Sequence, residues 1–431
     1  MSISRFLPRW LYHEKQLPDG RIKARFLCFK RTYRPVSRLS KIFKPLYAEY
    51  PEDFVAPAED SFIRRQGDAR LLAFYLPQFH AIPLNDKHFG KGFTEWTNVT
   101  KAKPQFLGHH QPQLPIDVGF YDLSHDDVMY RQVELARQYG VYGFCFHYYW
   151  FGKSRRLLEK PLFNWLNNKE LNFPFCLCWA NENWSTLWDG GERNIIMEQK
   201  MDEHTYADFV EDILPFLKDE RYIRIGGEPL LVIYRPSLFS REQFVHFIDG
   251  VRREVVKHGI PGIRVLMSNA FQRKGDVPDC REWHTQGVVE FPPHGLYDLR
   301  PGKKPFLQEN KMCLNDFAAY LQERRYMEQP APQGGGLYKC CFPSWDNTAR
   351  KTHSGGHIFM GCTPQLYRQW LTDCICYSNR HLAEDERYVF INAWNEWAEG
   401  AHLEPDQRYG YAYLRATREA VESMRNSTSE N

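Results

Sequence analysis

The chain has 431 residues, 43% of them hydrophobic and 25% charged, which excludes a disordered, collagen-like or coiled-coil protein and leaves ample apolar material for a large core. Aromatic residues reach 15%, enough to supply flat platforms for sugar rings as well as a core. The net charge of +3 excludes a nucleic-acid polycation, yet residues 1–50 carry 12 Lys and Arg against 3 acids and leave the remainder mildly acidic.

Residues 1–65 mix basic residues, prolines and scattered aromatics with no period. They read as a basic N-terminal extension with one or two short helices and a surface suited to anionic lipid or a partner. The opening MSISRFLPRW has charges and a proline where a signal peptide needs an apolar region, and no apolar run approaches the ~18–20 residues that span a bilayer. The expectation is a cytoplasmic protein, peripheral at the inner face of the membrane. The 11 cysteines, several of them in apolar runs (Cys145, Cys176, Cys178, Cys340, Cys341), read as buried reduced thiols. There is no C-x-x-C pair, and His109-His110 has no spaced acidic or Cys partner, so no metal site is expected.

Residues 66–431 alternate β-branched and aromatic runs with amphipathic stretches. The strand candidates in chain order are Arg70–Phe79, Val141–Phe151, Phe173–Trp179, Pro229–Tyr234, Ile263–Ser268, Gly287–Phe291, Tyr338–Trp345 and Tyr388–Trp394. Helices are predicted over Asp126–Tyr139, Arg156–Asn168, Glu203–Lys218, Arg241–His258, Leu314–Arg325, Pro364–Asn379 and about Gly410–Arg425. Asp202-Glu203 and Thr363-Pro364 are helix-start sequences. Gln272–Gln286, rich in Gly, Pro and Asp, is a poor helix, and Gly334-Gly335-Gly336 reads as a flexible loop. Eight strand–helix units imply a (β/α)8 TIM barrel. A doubly wound open sheet would place a G-x-G-x-x-G after its first strand, where Leu76-Pro77-Gln78-Phe79-His80 stands instead.

Barrel active sites lie at the C-terminal strand ends. Those ends carry His80 with Glu95-Trp96, His147-Tyr148, Trp179, Asn181-Glu182 with Trp184, Trp345-Asp346, and Trp394-Asn395-Glu396-Trp397-Ala398-Glu399-Gly400. Aromatic faces stack on sugars, and amides, imidazoles and carboxylates bind hydroxyls, so these residues are candidate substrate ligands. Phosphate would favour clustered Arg or Lys, which only Arg350 and Lys351 offer. Glu396 and Glu399 form the sharpest signal. Glycoside cleavage needs one carboxylic acid and one carboxylate, and an adjacent Trp raises a Glu pKa by desolvation. The alternative is a helix start with two solvated acids.

FYLPQFHAIPLND (Phe74–Asp86), GKGFTEWTNV (Gly90–Val99), WANENW (Trp179–Trp184) and WNEWAEG (Trp394–Gly400) resemble the WbsX-type proteins of bacterial cell-surface polysaccharide clusters over Ala73 to about Pro405. That group is similar in turn to glycoside hydrolase family 99, (β/α)8 endo-α-mannosidases with an N-E-W-x-E-G motif, met here by Asn395, Glu396, Trp397, Glu399 and Gly400. The resemblance implies that Glu396 assists the substrate's own 2-hydroxyl as a base, through a 1,2-anhydro sugar with retention. It implies that Glu399 is the acid/base at the glycosidic oxygen, and that Glu182 binds the sugar beside the scissile bond.

The reading is therefore an enzyme that cleaves or transfers an internal glycosidic bond of a cell-surface polysaccharide or lipid-linked glycan, with no cofactor and no nucleic-acid partner. One rival is a nucleotide-sugar glycosyltransferase of lipopolysaccharide, O-antigen or capsule biosynthesis, although the chain has no Asp-x-Asp. The other is a non-catalytic glycan-binding barrel.

Overall fold

The computed structural model describes residues 12–16, 22–26, 53–186, 194–200, 205–270, 278–296, 312–327, 329–351 and 356–427. The chain divides into two compact units, Met1–Glu52 and Asp53–Asn431. In the first, Tyr12–Gln16 and Ile22–Phe26 pair antiparallel with Tyr12 opposite Phe26. These residues of the extension are strands, and the rest of residues 1–52, where one or two short helices were expected, lies outside the described residues. The rest of the expected basic surface lies outside the described residues. Residues 53–65, expected in the extension, belong to the second unit: the Val55 N–H donates to the Tyr409 carbonyl and the Ala58 N–H to the Tyr139 hydroxyl.

The second unit is a closed barrel of eight parallel strands. They are β1 (Arg70–Tyr75), β2 (Gly143–Trp150), β3 (Phe175–Trp179), β4 (Glu228–Ile233), β5 (Arg264–Ser268), β6 (Gly287–Val289), β7 (Gly336–Tyr338 and Cys340–Cys341) and β8 (Tyr388–Ile391). Strand β7 closes the ring in two halves, Gly336–Tyr338 on β6 and Cys340–Cys341 on β8. Between the halves Lys339 is buried: its Nζ donates to Glu290 Oε1 at 2.7 Å and to the Tyr326 carbonyl at 2.9 Å. Glu290 at the end of β6 is thereby tied to a neighbouring strand. The strands are apolar on both faces because helices cover the outside and side chains fill the inside.

Among the described residues the α-helices are α1 (Pro83–Phe89), α2 (Glu95–Lys101), α3 (Asp127–Gln138), α4 (Lys160–Asn167), α5 (Thr205–Leu217), α6 (Arg241–Lys257), α7 (Phe317–Glu323), α8 (Pro364–His381) and α9 (Ala412–Ser427). Thr363 caps α8, its hydroxyl accepting from the Leu366 N–H with Pro364 in the first turn. The Asp202-Glu203 start lies outside the described residues. No helix forms among the described residues between β5 and β6. Helices α1 and α2 were not foreseen. Their sequence signals are Pro83 in a first turn and a capping box at Thr94.

Gly334-Gly335-Gly336 is not a loose loop. A Cβ on Gly335 would meet Cys280 Sγ at 2.6 Å, and Gly336 opens β7. Ten cysteines are free, seven of them buried, and Cys28 lies outside the described residues.

Asparagine side chains cross-link the strand ends at the mouth, Asn392 after β8 donating to the Pro292 carbonyl after β6 at 2.7 Å. Asn181 after β3 accepts from the Arg235 N–H and donates to the Arg235 carbonyl, both at 2.8 Å. Asn269 after β5 accepts from the Phe291 N–H at 2.9 Å. Asn395 after β8 accepts from the Leu76 N–H at 2.8 Å and donates to the Leu76 carbonyl at 3.1 Å.

Candidate active site

The mouth is organised by one guanidinium. Arg350 follows the 3-10 turn Asn347–Ala349 after β7 and is nearly buried. Its Nη2 donates to Glu396 Oε2 at 2.9 Å and its Nη1 to Glu399 Oε1 at 2.6 Å. Its Nε and Nη2 donate to Glu95 Oε2 at 3.1 and 3.0 Å. Three carboxylates from the β1–α3 segment and the β8 end thus share one cation. Burial pushes Glu396 up to about 7 against the pull of Arg350, with the Glu399 and Glu95 charges adding to it. Burial likewise raises Glu399, whose side chain is 22% exposed against 9% for Glu396 and is the more open of the pair.

Local geometry holds the pair. Asp346 accepts from His109 Nε2 at 2.6 Å, and its own N–H donates to the Glu399 carbonyl at 2.7 Å. Gly400 has φ +61, and a Cβ there would lie 2.9 Å from Gln113 Nε2 and 3.0 Å from the Asp346 nitrogen. The glycine of the motif is required on both counts.

On β2, alternation sends His147 and Tyr149 inward. The His147 ring stacks on Phe74 at 5.7 Å and meets Tyr234 and Phe291 edge-on. Burial disfavours its charged form, but the Cys178 thiol beside it and the carboxylates of Glu396 and Glu399 outweigh this and raise its pKa. The Tyr149 hydroxyl accepts from Gln78 Nε2 at 2.7 Å. Glu182, at the rim, is paired with Arg235 Nη1 and is 37% exposed. Burial and the charges of Arg235 and His357 push nearby His294 down to about 4. Glu396, Glu399, Glu95, His147 and, at the edge, Glu182 therefore gather at the mouth.

Other expected ligands face elsewhere. Tyr148 and Trp179 point out of the barrel, Tyr148 onto Asp212 and Phe216, Trp179 between Phe209 and Phe247 with its Nε1 on the Trp150 carbonyl. Strand alternation puts them on the helix side of residues whose neighbours line the interior. Trp96 is buried on Phe79 and Trp397 and donates to the Tyr121 carbonyl at 2.8 Å. Trp184 donates to Asn85 Oδ1 and meets Tyr149 edge-on at 5.2 Å, so it supports the mouth from behind. His80 is buried with Nδ1 on the Pro77 carbonyl at 3.0 Å, and desolvation lowers its pKa. Asn181 and Asn395 are taken by backbone groups, as above. Trp345 packs on Phe342, and with Asp346 it lines a separate cavity of about 130 Å³. Trp397 stacks on His402 at 3.7 Å.

The tryptophans that flank Glu396 turn their indole nitrogens onto another acid. Their indoles converge on Glu404, which sequence reasoning passed over: Trp394 Nε1 donates at 3.1 Å and Trp397 Nε1 at 2.6 Å. Arg350 was noticed only as a phosphate ligand. Glu404 left little signal, as one acid among His402, Asp406, Gln407 and Arg408. Among the described residues no group of His, Cys, Asp and Glu is placed to hold a metal ion, and no helix is long and apolar enough to cross a membrane.

The fold is a (β/α)8 barrel with carboxylates gathered at its mouth. It is similar to the GH99 endo-alpha-mannosidase of Bacteroides thetaiotaomicron, with a TM-score of 0.52 and 14% identity over 84% of this chain and 98% of that one. It is also similar to a protein described as glycoside hydrolase-like, with a TM-score of 0.50, 13% identity and coverage of 86% and 98%. At these identities the likeness is one of fold. Closer in sequence are the uncharacterized proteins WxcX of two strains of Xanthomonas campestris pv. campestris, B100 and ATCC 33913. Each is 41% identical over 358 residues, 82% of this chain and 50% of the relative. The chain spans about half the length of the curated relatives it matches. Residues 71–417 match the family described as Glycosyltransferase WbsX, and the chain belongs to that family, a carbohydrate-active one.

Proposed function

We propose that this protein cleaves or transfers an internal glycosidic bond of a cell-surface polysaccharide or its lipid-linked precursor, with retention. The observation that carries the reading is the pair Glu396 and Glu399 held on separate nitrogens of Arg350 at the barrel mouth. Glu399, the more open, gives its proton to the glycosidic oxygen as the C1–O bond breaks. Glu396 takes the proton of the C2 hydroxyl, whose oxygen closes on C1. A water or an acceptor hydroxyl then attacks C1 and loses its proton to Glu399, while Glu396 returns its proton to O2. A raised pKa suits both groups, because each must exchange a proton near neutrality. His147, Glu182 and Glu95 border the sugar or hold the groups that do. The basic extension contacts anionic lipid, and vesicles that bind the full chain no better than residues 53–431 remove that part of the reading.

The family description favours a second reading, glycosyl transfer from a nucleotide sugar. The deciding experiment supplies activated α-mannosyl disaccharides and the host polysaccharide to wild type, Glu396→Gln and Glu399→Gln. Product from wild type alone supports the proposal. Consumption of a nucleotide sugar with no glycan cleavage sinks it.

A further inference from the structure

We propose that Glu404 is a positioning residue for the Glu396–Glu399 pair, its buried carboxylate anchoring through Trp394, Trp397 and Tyr121 the turn that carries both acids. The assignment of a catalytic turn rests on the function proposed above. The anchor itself rests on geometry.

Glu404 is 2% exposed and accepts four hydrogen bonds, two on each oxygen. Oε1 takes Gln132 Nε2 at 2.6 Å and Trp394 Nε1 at 3.1 Å, and Oε2 takes Trp397 Nε1 at 2.6 Å and the Tyr121 hydroxyl at 3.0 Å. Each of these partners is committed as a donor. An indole nitrogen can only donate. Gln132 Oε1 already accepts the Tyr75 hydroxyl proton at 2.7 Å, which turns its amide nitrogen toward Glu404. The Tyr121 oxygen already accepts from Asn395 Nδ2 at 3.2 Å, so its own proton points to Glu404. The Asn395 amide orientation is fixed in turn by the Leu76 N–H on its Oδ1. Four convergent neutral donors here do the work of a cation beside the carboxylate.

The pattern singles out Glu396. Of the consecutive residues Trp394, Asn395, Glu396 and Trp397, the first and last are bonded to Glu404 directly and the second through Tyr121. Glu396 alone turns the other way, onto Arg350. A peptide held at three points on one side presents its fourth side chain at a fixed place on the other, which is what a proton-transfer group needs.

Glu404→Gln keeps the volume and points an amide N–H₂ at two donors. Expected are a 10–100-fold fall in kcat with KM within about threefold, and loss of two downfield indole N–H resonances from an otherwise intact amide spectrum. Glu290→Gln disturbs another buried carboxylate, the partner of Lys339, and is expected to lower stability with kcat unchanged. Should Glu404→Gln not fold, Trp397→Phe removes one donor and is expected to act in the same direction, less strongly. The carboxyl ¹³C titration of Glu396, identified by its loss in Glu396→Gln, needs no substrate. In Glu404→Gln its midpoint is expected to move by at least about half a unit as the contact with Arg350 loosens. An unmoved midpoint overturns the proposal whether or not the wild type turns over any glycan. So does an unchanged kcat in a folded variant that has lost both indole resonances.

Discussion

Arg350→Met is the most informative single substitution, because it withdraws one cation from three carboxylates and keeps most of the apolar stem. Breaking a buried ion pair by removing one partner costs about 3–5 kcal/mol. At ~2.1 cal/mol/K per residue, over the about 380 residues of Asp53–Asn431, that is a fall in Tm of about 4–6 °C. The loss must depend on pH. Folded Glu396 holds its proton up to about 7, above the ordinary value of 4.5, so the native state binds more protons than the unfolded chain between those values. Stability therefore falls as pH rises through that window. Without Arg350 the midpoint moves higher and the fall continues above pH 7. At pH 5 Glu396 is protonated with or without the arginine, and the deficit of the variant shrinks to less than half its value at pH 8. Calorimetry of both proteins at pH 5 and pH 8 measures this directly. Equal deficits at the two pH values would show that the guanidinium is not what favours the ionised form of Glu396.

Other outcomes follow from the same geometry. With Glu396 as the base, kcat/KM climbs about tenfold per pH unit and levels near pH 7, and a flat profile from pH 5 to 8 contradicts that role. Trp179→Phe is expected to cost about 1–3 kcal/mol of stability while leaving KM for any glycan unchanged, since its ring faces Phe209 and Phe247 rather than the mouth. A raised KM at unchanged stability refutes this. Asn181→Ala leaves the Arg235 N–H and carbonyl without their side-chain partner and should cost about 1–3 kcal/mol in denaturant unfolding. Gly335→Ala places a methyl 2.6 Å from Cys280 Sγ and is expected to destabilise by about 1–3 kcal/mol; a neutral result means the approach of Gly335 to the segment before β6 is loose.

The strands were legible because each is a short apolar run with helix-length amphipathic stretches between, and their C-terminal ends pointed to the mouth. The phase of each strand was not legible. His147-Tyr148-Tyr149-Trp150 is aromatic on both faces, and with helices outside and packed rings inside no polar residue marks which side is which. Tyr148 and Trp179 were therefore assigned to the sugar, and Tyr149 and Tyr234 went unnoticed. The same ambiguity hid the purpose of the tryptophans in the last motif. Proximity in sequence suggested that they desolvate Glu396, whereas a backbone turn carries their indoles to the far side, onto Glu404. Arg350 stands some 46 positions before Glu396, and its convergence on three acids arises only when β7 and β8 become neighbours.

The asparagine ties at the mouth have a consequence for how such a barrel can diversify. Asn181, Asn269 and Asn395 fasten strand ends to one another through backbone groups. The rim is braced by the strands' own continuations, not by the excursions that leave it. Lengthening, trimming or exchanging those excursions leaves the braces in place. The excursions after β1 and β7 are the exceptions, because they supply Glu95, His109, Tyr121 and Arg350 to the last motif and the groups that hold it, and a new specificity is grafted most readily onto the others.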